Sequence, residues 1–213
     1  MQGIVISDLH MFARRSRAHA VLDRVHRAVE EADVFVLNGD TFDFRWTTLP
    51  TIEATVRASL HWLENLAERH PDTDIHFVLG NHDCNQLFID GLDELSGRVP
   101  TLHWHEYQIH LGSNLFLHGD CADYKMTAAR LAANRRQWQF ETRKADWMGV
   151  AYEYADRIGV TAAVPRVLCQ RERVAKRILH YLHDAVPHVI PQVEDVYFGH
   201  AHLPFVDYRH QGI

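Results

Sequence analysis

The chain has 213 residues, of which 46% are hydrophobic and 23% charged, with a formal net charge of −6. This length and composition suit a soluble globular protein with one substantial core. They argue against an integral membrane protein, because no apolar run reaches the length of a transmembrane helix, and the negative charge argues against nucleic acid as the partner.

The N-terminal residues MQGIVISDLH begin a strand directly. They lack the basic region, apolar stretch and small-residue cleavage site of a signal peptide, so we expect a cytoplasmic protein. The three cysteines, Cys84, Cys121 and Cys169, form no CxxC pair. Their scatter suits a reducing compartment and argues against a disulfide framework or a zinc–thiolate site.

Short apolar runs alternate with helical patterns through the first half of the chain. The runs GIVIS, VFVLN and IHFVL predict buried strands, and NLFL and DVYF predict two later ones. Apolar spacing over residues 17–31 and 51–69 predicts helices between the early strands. Strands that alternate with helices indicate a layered α/β fold with a mainly parallel first half.

Residues 101–118 contain two strand-like runs, TLHWHEYQIHL and NLFLH, joined at GSN. Their closeness predicts an antiparallel hairpin. The first run contains His103, His105 and His110 without a glycine cluster. We therefore expect them to be exposed histidines of the hairpin rather than ligands.

Residues 121–190 show no convincing strand, and their pattern predicts a helical insertion. They carry 12 Lys+Arg and 7 Asp+Glu, whereas the rest of the chain carries 10 and 21. A basic segment on an acidic body suggests contact with an anion, although a solvated helical surface would explain the charge alone. Near the end of the insertion, the spacing of Val174, Ile178, Tyr181 and Ala185 places an apolar stripe on one helix face.

Polar clusters follow five of the predicted strands, at the point where each strand ends. In open α/β sheets, ligands bind outside the carboxyl ends of the strands. The donors are carboxylate, amide and imidazole groups, which suit manganese, iron, zinc or cobalt. Seven donors are too many for one tetrahedral ion, so they predict two divalent metals that share a carboxylate. The predicted ligands are Asp8, His10, Asp40, Asn81, His118, His200 and His202.

Each cluster also has a simpler explanation. Asp8 and His10 would be a helix cap followed by a surface histidine, Asp40 a turn residue, and Asn81 a left-handed turn residue. Taken singly, these explanations are preferred. Five such clusters, in order on successive strand ends, instead favour a metal centre.

The motifs DLH, GDTFD, GNHD, HGD and GHAH resemble, in this order, the five motifs of the calcineurin-like metallophosphoesterases. The resemblance spans residues 8–202 and implies a two-sheet β-sandwich flanked by helices, with two divalent metals. Manganese is the first candidate, and iron, zinc and cobalt are alternatives. The resemblance assigns Asp8, His10 and His202 to one ion, Asn81, His118 and His200 to the other, and Asp40 to both.

The resemblance also implies a hydrolytic reaction on phosphoester or pyrophosphate bonds. A divalent metal lowers the pKa of its bound water to about 7, and a hydroxide that bridges the two ions would attack phosphorus. His82 would stabilise or protonate the leaving group, and Asp83 would orient His82. Asp43 would support the metal ligands from behind.

Within the family, GDTFDFRW and the helical insertion after HGD resemble the UDP-2,3-diacylglucosamine pyrophosphatases of lipid A synthesis. That branch has a helical lid for acyl chains, although its best-known members carry arginine at the position of His82. We therefore expect residues 121–190 to form a lid within a single domain, residues 1–213. The substrate would be a phosphorylated small molecule or a lipid-linked nucleotide, with peripheral contact at the inner membrane surface.

The insertion supplies candidates for binding that substrate. Basic side chains would hold a second phosphate, and aromatic ones would cover an acyl chain or a base. The basic candidates are Arg135, Arg136, Arg143 and Lys144, and the aromatic ones are Trp138, Phe140, Trp147, Tyr152 and Tyr154.

Two other functions stay open. A phosphatase or phosphodiesterase for a soluble nucleotide or a phosphoprotein would have a narrow polar pocket instead of a hydrophobic groove. A non-catalytic scaffold of the same fold would have lost metal ligands, and the sequence retains all seven. Because family members usually continue with further strands, we also expect a segment beyond Ile213.

Overall fold

The computed structural model describes residues 2–145, 170–202 and 208–210. Its first sheet contains four parallel strands that lie side by side in chain order. This arrangement confirms the parallel first half that the alternation of strands and helices predicts. The strands are β1 Gly3–Ile6, β2 Val34–Asn38, β3 Asp74–Val78 and β4 Leu102–His105.

The second sheet contains three strands in the order β5-β6-β7, namely β5 Gln108–Leu111, β6 Asn114–Leu117 and β7 Asp195–Phe198. β5 and β6 form an antiparallel hairpin, and β7 pairs with β6 in parallel. The carboxyl ends of β6 and β7 therefore lie side by side.

The described residues form five α-helices beside the two sheets. Three of them begin at a polar side chain that accepts a hydrogen bond from a backbone amide two or three residues further on: Thr51 before α2, Asn85 before α3 and Thr127 before α4. Short 3₁₀ turns occupy residues 18–20, 120–122 and 190–192. The helices are α1 Leu22–Glu30, α2 Ile52–Arg69, α3 Gln86–Arg98, α4 Ala128–Trp138 and α5 Arg171–Ala185.

Each sheet has its own helical cover. The outer face of the first sheet packs Phe35, Leu37 and Phe77 against α1, α2 and α3. The second sheet packs Leu115 and Leu117 against α4 and α5. Between the two sheets lies a smaller apolar cluster of Val34, Val36, Val78 and Phe116. The layers are therefore helix, sheet, sheet, helix, as the predicted sandwich requires.

The run TLHWHEYQIHL is not one strand. It divides at Glu106 and Tyr107 into β4, which joins the first sheet, and β5, which begins the second. The hairpin prediction is thus confirmed only for β5 and β6. The prediction of exposed hairpin histidines is wrong for His103 and His105, because both lie on β4, and only His103 is fully exposed. The His103 ring stacks on that of His76 on β3 at a centroid distance of 5.0 Å, and the His105 ring lies tilted against it at 5.3 Å.

The described parts of the insertion, residues 121–145 and 170–190, contain helices and no strand, as predicted. On α5, Val174, Ile178 and Tyr181 are buried and Ala185 packs against the same cluster, which confirms the predicted apolar stripe. The aromatic candidates Trp147, Tyr152 and Tyr154 lie outside the described residues. The division into one domain and a lid stays a prediction.

None of the described helices is long and apolar enough to cross a membrane. Cys84 and Cys121 are free thiols buried in the two cores, and Cys169 lies outside the described residues.

Candidate metal centre

The seven predicted ligands lie at the carboxyl ends of five strands that come from both sheets. β1, β2 and β3 lie side by side in the first sheet, and β6 and β7 in the second, so the two sheets bring these strand ends together. Asp8 and His10 follow β1, Asp40 follows β2, Asn81 follows β3, His118 follows β6, and His200 and His202 follow β7.

Asp8, His10 and His202 form the first group of donors, with one potential ligand atom from each lying within 4.8 Å of the others. His202 Nε2 lies 3.7 Å from Asp8 Oδ1, and the rings of His10 and His202 stack at 5.4 Å. The Asp8 carboxylate also accepts the backbone N–H of His200 at 3.0 Å. Asp8 therefore joins the end of β1 to the end of β7.

Asp40, His118 and His200 form the second group, and Asn81 adjoins it. His118 Nε2 lies 3.2 Å from Asp40 Oδ2, 3.2 Å from Asn81 Oδ1 and 3.3 Å from His200 Nδ1. Metal–ligand bonds of about 2.0–2.1 Å place neighbouring ligand atoms roughly 3.0–3.4 Å apart. The spacing and the chemistry of these four donors therefore fit a divalent metal.

Asp40 lies close to members of both groups of donors. Its Oδ1 accepts the backbone N–H of His82 at 2.8 Å, while its Oδ2 lies 3.2 Å from His118 and 3.8 Å from His10. A single carboxylate oxygen thus faces ligands of both groups. This is the geometry that the predicted bridging role requires.

The charges of the centre are strongly coupled. Burial alone would raise the pKa of Asp40, but the neighbouring His118 and His82 hold it well below its usual range. Burial alone would lower the pKa of His118, but Asp40, Asp8 and Asp120 raise it to about 10. Without metal, the positive charge of a protonated His118 therefore compensates the negative charge of Asp40 in the buried centre.

Five of the seven predicted ligands have left-handed backbone conformations. Such φ values are uncommon outside glycine and cost about 1–3 kcal/mol each, so they cluster where function requires a particular side-chain direction. Here they turn the chain sharply as it leaves each strand and aim the donors at one place. The φ values are 56° for Asp8, 45° for His10, 51° for Asp40, 63° for His200 and 50° for His202.

Two glycines allow the ligands to approach the backbone. A Cβ atom at Gly80 would overlap the carboxylate and backbone amide of Asp40. Gly39 has a φ of 83°, and a Cβ atom there would overlap the imidazole of His118. The GD and GNHD motifs therefore need glycine for space as well as for conformation.

His82 lies beside the donors, with its ring 4.8 Å from the His10 ring in an edge-to-face arrangement. Its Nδ1 lies 3.0 Å from Asp43 Oδ2, whereas Asp83 accepts the backbone N–H groups of Thr41 and Gly80 at 2.8 and 2.6 Å. The predicted contact between Asp83 and His82 is therefore wrong. Asp83 accepts hydrogen bonds from the backbone of the two loops that carry Asp40 and Asn81. Asp43 is the carboxylate that contacts His82 and orients its ring.

Two further side chains contact the metal centre without having been predicted. Asp123 Oδ1 lies 2.7 Å from His200 Nε2, which leaves His200 Nδ1 for a metal. Arg45 donates to the carbonyl oxygen of Asn81 at 2.8 Å. Arg45 lies in the quoted GDTFDFRW run. The sequence around Arg45 and around Asp123 does not indicate which predicted ligand each of them contacts.

The basic candidates of the insertion differ in their surroundings. Arg135 is 1% exposed and pairs with Asp120 at 3.0 Å, and it also donates to the carbonyl oxygens of Leu79 and Glu106. Its guanidinium is therefore committed within the protein, and its prediction as a phosphate ligand is wrong. Arg136 is exposed, so its role stays a prediction.

Residues 141–144 of the insertion lie against a loop of the metal centre. Lys144 donates its backbone N–H to the Arg45 carbonyl at 2.8 Å, and Arg143 Nε donates to the Thr47 carbonyl at 3.2 Å. Arg45 pairs with Glu141 at 2.8 Å. Residues 141–144 thus border the loop that follows Asp40 and Asp43.

The comparison with known protein families agrees with this geometry. The family model described as calcineurin-like phosphoesterase matches residues 1–204, and no curated protein matches the chain. A crystal structure of the Pseudomonas putida nuclease MPE is similar at 22% identity and a TM-score of 0.39, over 55% of this chain and 53% of that one. Because the family match spans nearly the whole sequence, the chain belongs to the calcineurin-like phosphoesterases, a family of metal-dependent phosphohydrolases.

Proposed function

We propose that this protein hydrolyses phosphoester or phosphoanhydride bonds with a pair of divalent metals, for which manganese is the first candidate. The observation that carries the proposal is the convergence of seven oxygen and nitrogen donors from five strand ends. Three groups of His and Asp side chains there have ligand atoms within 4.8 Å of one another. The retained donor set also argues against a non-catalytic scaffold.

The side chains of the centre would have two roles, namely to bind the ions and to position the ligands. Asp8, His10 and His202 would hold one ion, and Asn81, His118 and His200 the other, with Asp40 shared. When bound, such ions activate water and neutralise the charge on phosphate oxygens. Other side chains hold the donors in place: Asp123 fixes the His200 ring, and Asp83 fixes the backbone directly after Asp40 and directly before Asn81.

His82 would protonate the leaving group. With Nδ1 placed 3.0 Å from Asp43, its Nε2 is the nitrogen left for proton transfer. Asp43 also lies 3.5 Å from His10 Nδ1, so one carboxylate orients both the proton donor and a metal ligand. The alternative is that His82 is itself a ligand, because it forms a third group with His10 and Asp40.

The test is hydrolysis of a small chromogenic phosphodiester by the full chain, first freed of metal with a chelator and then loaded with Mn²⁺. Activity should require the metal and should disappear in Asp40→Ala. Metal-loaded protein that hydrolyses no phosphomonoester, phosphodiester or pyrophosphate in a broad screen would refute the proposal.

The substrate stands between two classes. A lipid-linked nucleotide such as UDP-2,3-diacylglucosamine is supported by Phe140, which is 71% exposed at the end of α4, close to residues 141–144 that border the centre. An exposed aromatic there would suit an acyl chain and contact with the inner membrane surface. Hydrolysis of that lipid should then exceed hydrolysis of soluble nucleotide diphosphates, and Phe140→Ser should remove the preference.

A soluble phosphorylated nucleotide is the second candidate. It is supported by a cavity within the insertion whose described lining residues all have polar or charged side chains. If nucleotides without a lipid are cleaved faster than the lipid-linked one, and Phe140→Ser changes neither rate, the soluble class is correct.

A further inference from the structure

A cavity of about 590 Å³ lies along α5, and none of the seven donors of the metal centre lines it. This volume is within the range of roughly 300–1,000 Å³ that small-molecule sites occupy. The lining residues that the structure describes all have polar or charged side chains. They are Lys125, Gln170, Glu172, Arg173, Lys176, Arg177 and His180.

The cationic lining follows from the sequence of α5. Arg173, Arg177 and His180 recur at intervals of four and three residues, so they lie along one face of the helix. The neighbouring stripe, with Val174 and Ile178, is buried against the second sheet. Helix α5 therefore attaches to the fold by one face and presents a basic row on another.

The cavity carries a net positive charge that the described protein leaves uncompensated. Glu172 is the only acidic residue among the described lining residues, and it already pairs with Lys176 at 2.6 Å. Within the described ranges, Lys125 and Arg173 contact no acidic group and make no hydrogen bond through their side chains. A solvated helix surface would need no concave space, whereas a concave site with unpaired cations suits an anion.

The cavity is connected to the metal centre by two contacts. Arg177 Nη1 donates to the carbonyl oxygens of Ala122 and Asp123, both at 2.8 Å. The carboxylate of Asp123 lies 2.7 Å from Nε2 of the predicted ligand His200. One residue therefore touches both a wall of the cavity and a ligand of the centre.

We propose that this cavity binds a second phosphate group of the substrate, remote from the bond that is cleaved. The ligand class is a small organophosphate with two separate phosphates, such as a nucleoside bisphosphate. Lysine and arginine are the side chains that recognise phosphate. The inference rests on the proposed phosphohydrolase function and adds a substrate class to it.

The first test measures the affinity for two ligands that differ by one phosphate. Calorimetry would compare thymidine 3′,5′-bisphosphate with thymidine 5′-monophosphate on the Mn²⁺-loaded full chain. The bisphosphate should bind at least about tenfold more tightly, as expected for a charge-assisted contact. The double variant Lys125→Gln/Arg173→Gln should lose this difference, whereas Arg24→Gln, an exposed cation on α1, should retain it. Equal affinity of both ligands for the unmodified protein, or an unchanged difference in the double variant, would overturn the proposal.

The second test separates this site from the hydrolytic function. The p-nitrophenyl ester of thymidine 5′-phosphate and its 3′-phosphorylated form contain the same scissile bond. The 3′-phosphate should lower KM by about tenfold, and the double variant should abolish that ratio. Hydrolysis of neither ester, with the expected calorimetric difference, would refute phosphodiester hydrolysis and leave the anion site standing.

Discussion

Asp40 is the residue whose carboxylate lies close to both groups of donors. It is 1% exposed, and its Oδ2 faces His118 and His10 while its Oδ1 is held by the backbone of His82. No other described carboxylate is shared between the two sets that the resemblance assigns. Loss of Asp40 should therefore affect both ions rather than one.

We predict that Asp40→Ala binds fewer than two Mn²⁺ ions per chain. The physical reason is that the remaining donors form two sets without a common ligand, so neither ion gains from the presence of the other. Elemental analysis after gel filtration measures the metal content, and Asp72→Ala, on an exposed loop, is the control. Two tightly held ions in the Asp40 variant would remove its bridging role.

Replacement of His82 should distinguish a role in proton transfer from a role in metal binding. We predict that His82→Gln retains two metals but lowers kcat by about 10²–10⁴-fold on substrates with poor leaving groups. A p-nitrophenolate leaving group needs no proton, so the loss on that substrate should be much smaller. The measurement is kcat across a series of leaving groups, together with metal content. A variant that loses a metal would identify His82 as a ligand instead.

The orientation of His82 shows where residue-level prediction ends. Asp43 and Asp83 are both carboxylates near a predicted ligand, and Asp83 is the immediate neighbour of His82 along the chain. Adjacent side chains seldom face each other, and the contact actually comes from the loop after β2. Burial and the nearby Asp40 raise the pKa of Asp83 to about 7, which reflects its position inside the backbone of two loops.

At the scale of elements, the turns after the strands are as important as the strands. Five ligands with left-handed φ values place several donors within a few residues of each strand end. Motifs with glycine and short polar residues predict such turns. They do not predict which glycine is needed for conformation and which for space, because that depends on neighbours far along the chain.

We predict that Gly80→Ala lowers both stability and metal affinity. The new methyl group would meet the Asp40 carboxylate and backbone, and overpacking of this kind costs about 1–3 kcal/mol. Gly97→Ala is the matched control, because a Cβ atom there meets nothing within 4 Å and helix α3 should gain roughly 0.5–1 kcal/mol. Urea unfolding would measure both variants, and equal stabilities would contradict the packing argument.

Helix α4 is attached to the centre through Arg135. Its guanidinium joins Asp120, directly after the HG of the HGD motif, to the carbonyl of Leu79 before Asn81. Removing one partner of a buried pair leaves an uncompensated charge, so Arg135→Met should cost about 3–5 kcal/mol. In Asp120→Asn/Arg135→Met the loss should be smaller than in the single variant, and Arg98→Met, in an exposed pair, should change little. A single-variant loss no larger than that of Arg98→Met in urea unfolding would contradict this role.

Most of the helices and strands could be predicted from the sequence. Helix α2 begins and ends within one residue of its predicted span, because its apolar spacing is regular and Thr51 caps it. The division between β4 and β5 was not readable. The run from Leu102 to Leu111 keeps a strand-like composition throughout, and the change of sheet at Glu106 and Tyr107 is decided by packing against β3 on one side and β6 on the other.

At the scale of the whole molecule, the centre exists only where the two sheets meet. Asp8 and His200 are 192 residues apart in sequence and are joined by a hydrogen bond of 3.0 Å. The order of the motifs predicted this meeting, because strand ends of both sheets share one edge of the sandwich. The role of the insertion could not be predicted in the same way, since it depends on surfaces rather than on motifs.

The structure narrows how the insertion can be tested as a lid. Helices α4 and α5 cover Leu115, Leu117 and their neighbours, so removal of residues 121–190 would expose the second core. Exchange of residues 146–169 leaves every described residue of that cluster in place. An equal-length Gly/Ser sequence in their place keeps both helices connected and removes the aromatic and basic side chains between them.

We predict that this exchange abolishes the preference between substrates but retains hydrolysis of a small chromogenic phosphodiester. The seven donors, His82 and Asp43 all lie outside the exchanged segment, and residues 141–144 still border the centre. Binding energy from remote parts of a substrate is what a lid would supply, so kcat/KM should fall only for the larger substrate. The measurement is the ratio of kcat/KM between the preferred substrate and the small phosphodiester, with metal content as the control. An equal loss on both substrates, or no loss on either, would show that residues 146–169 do not select the substrate.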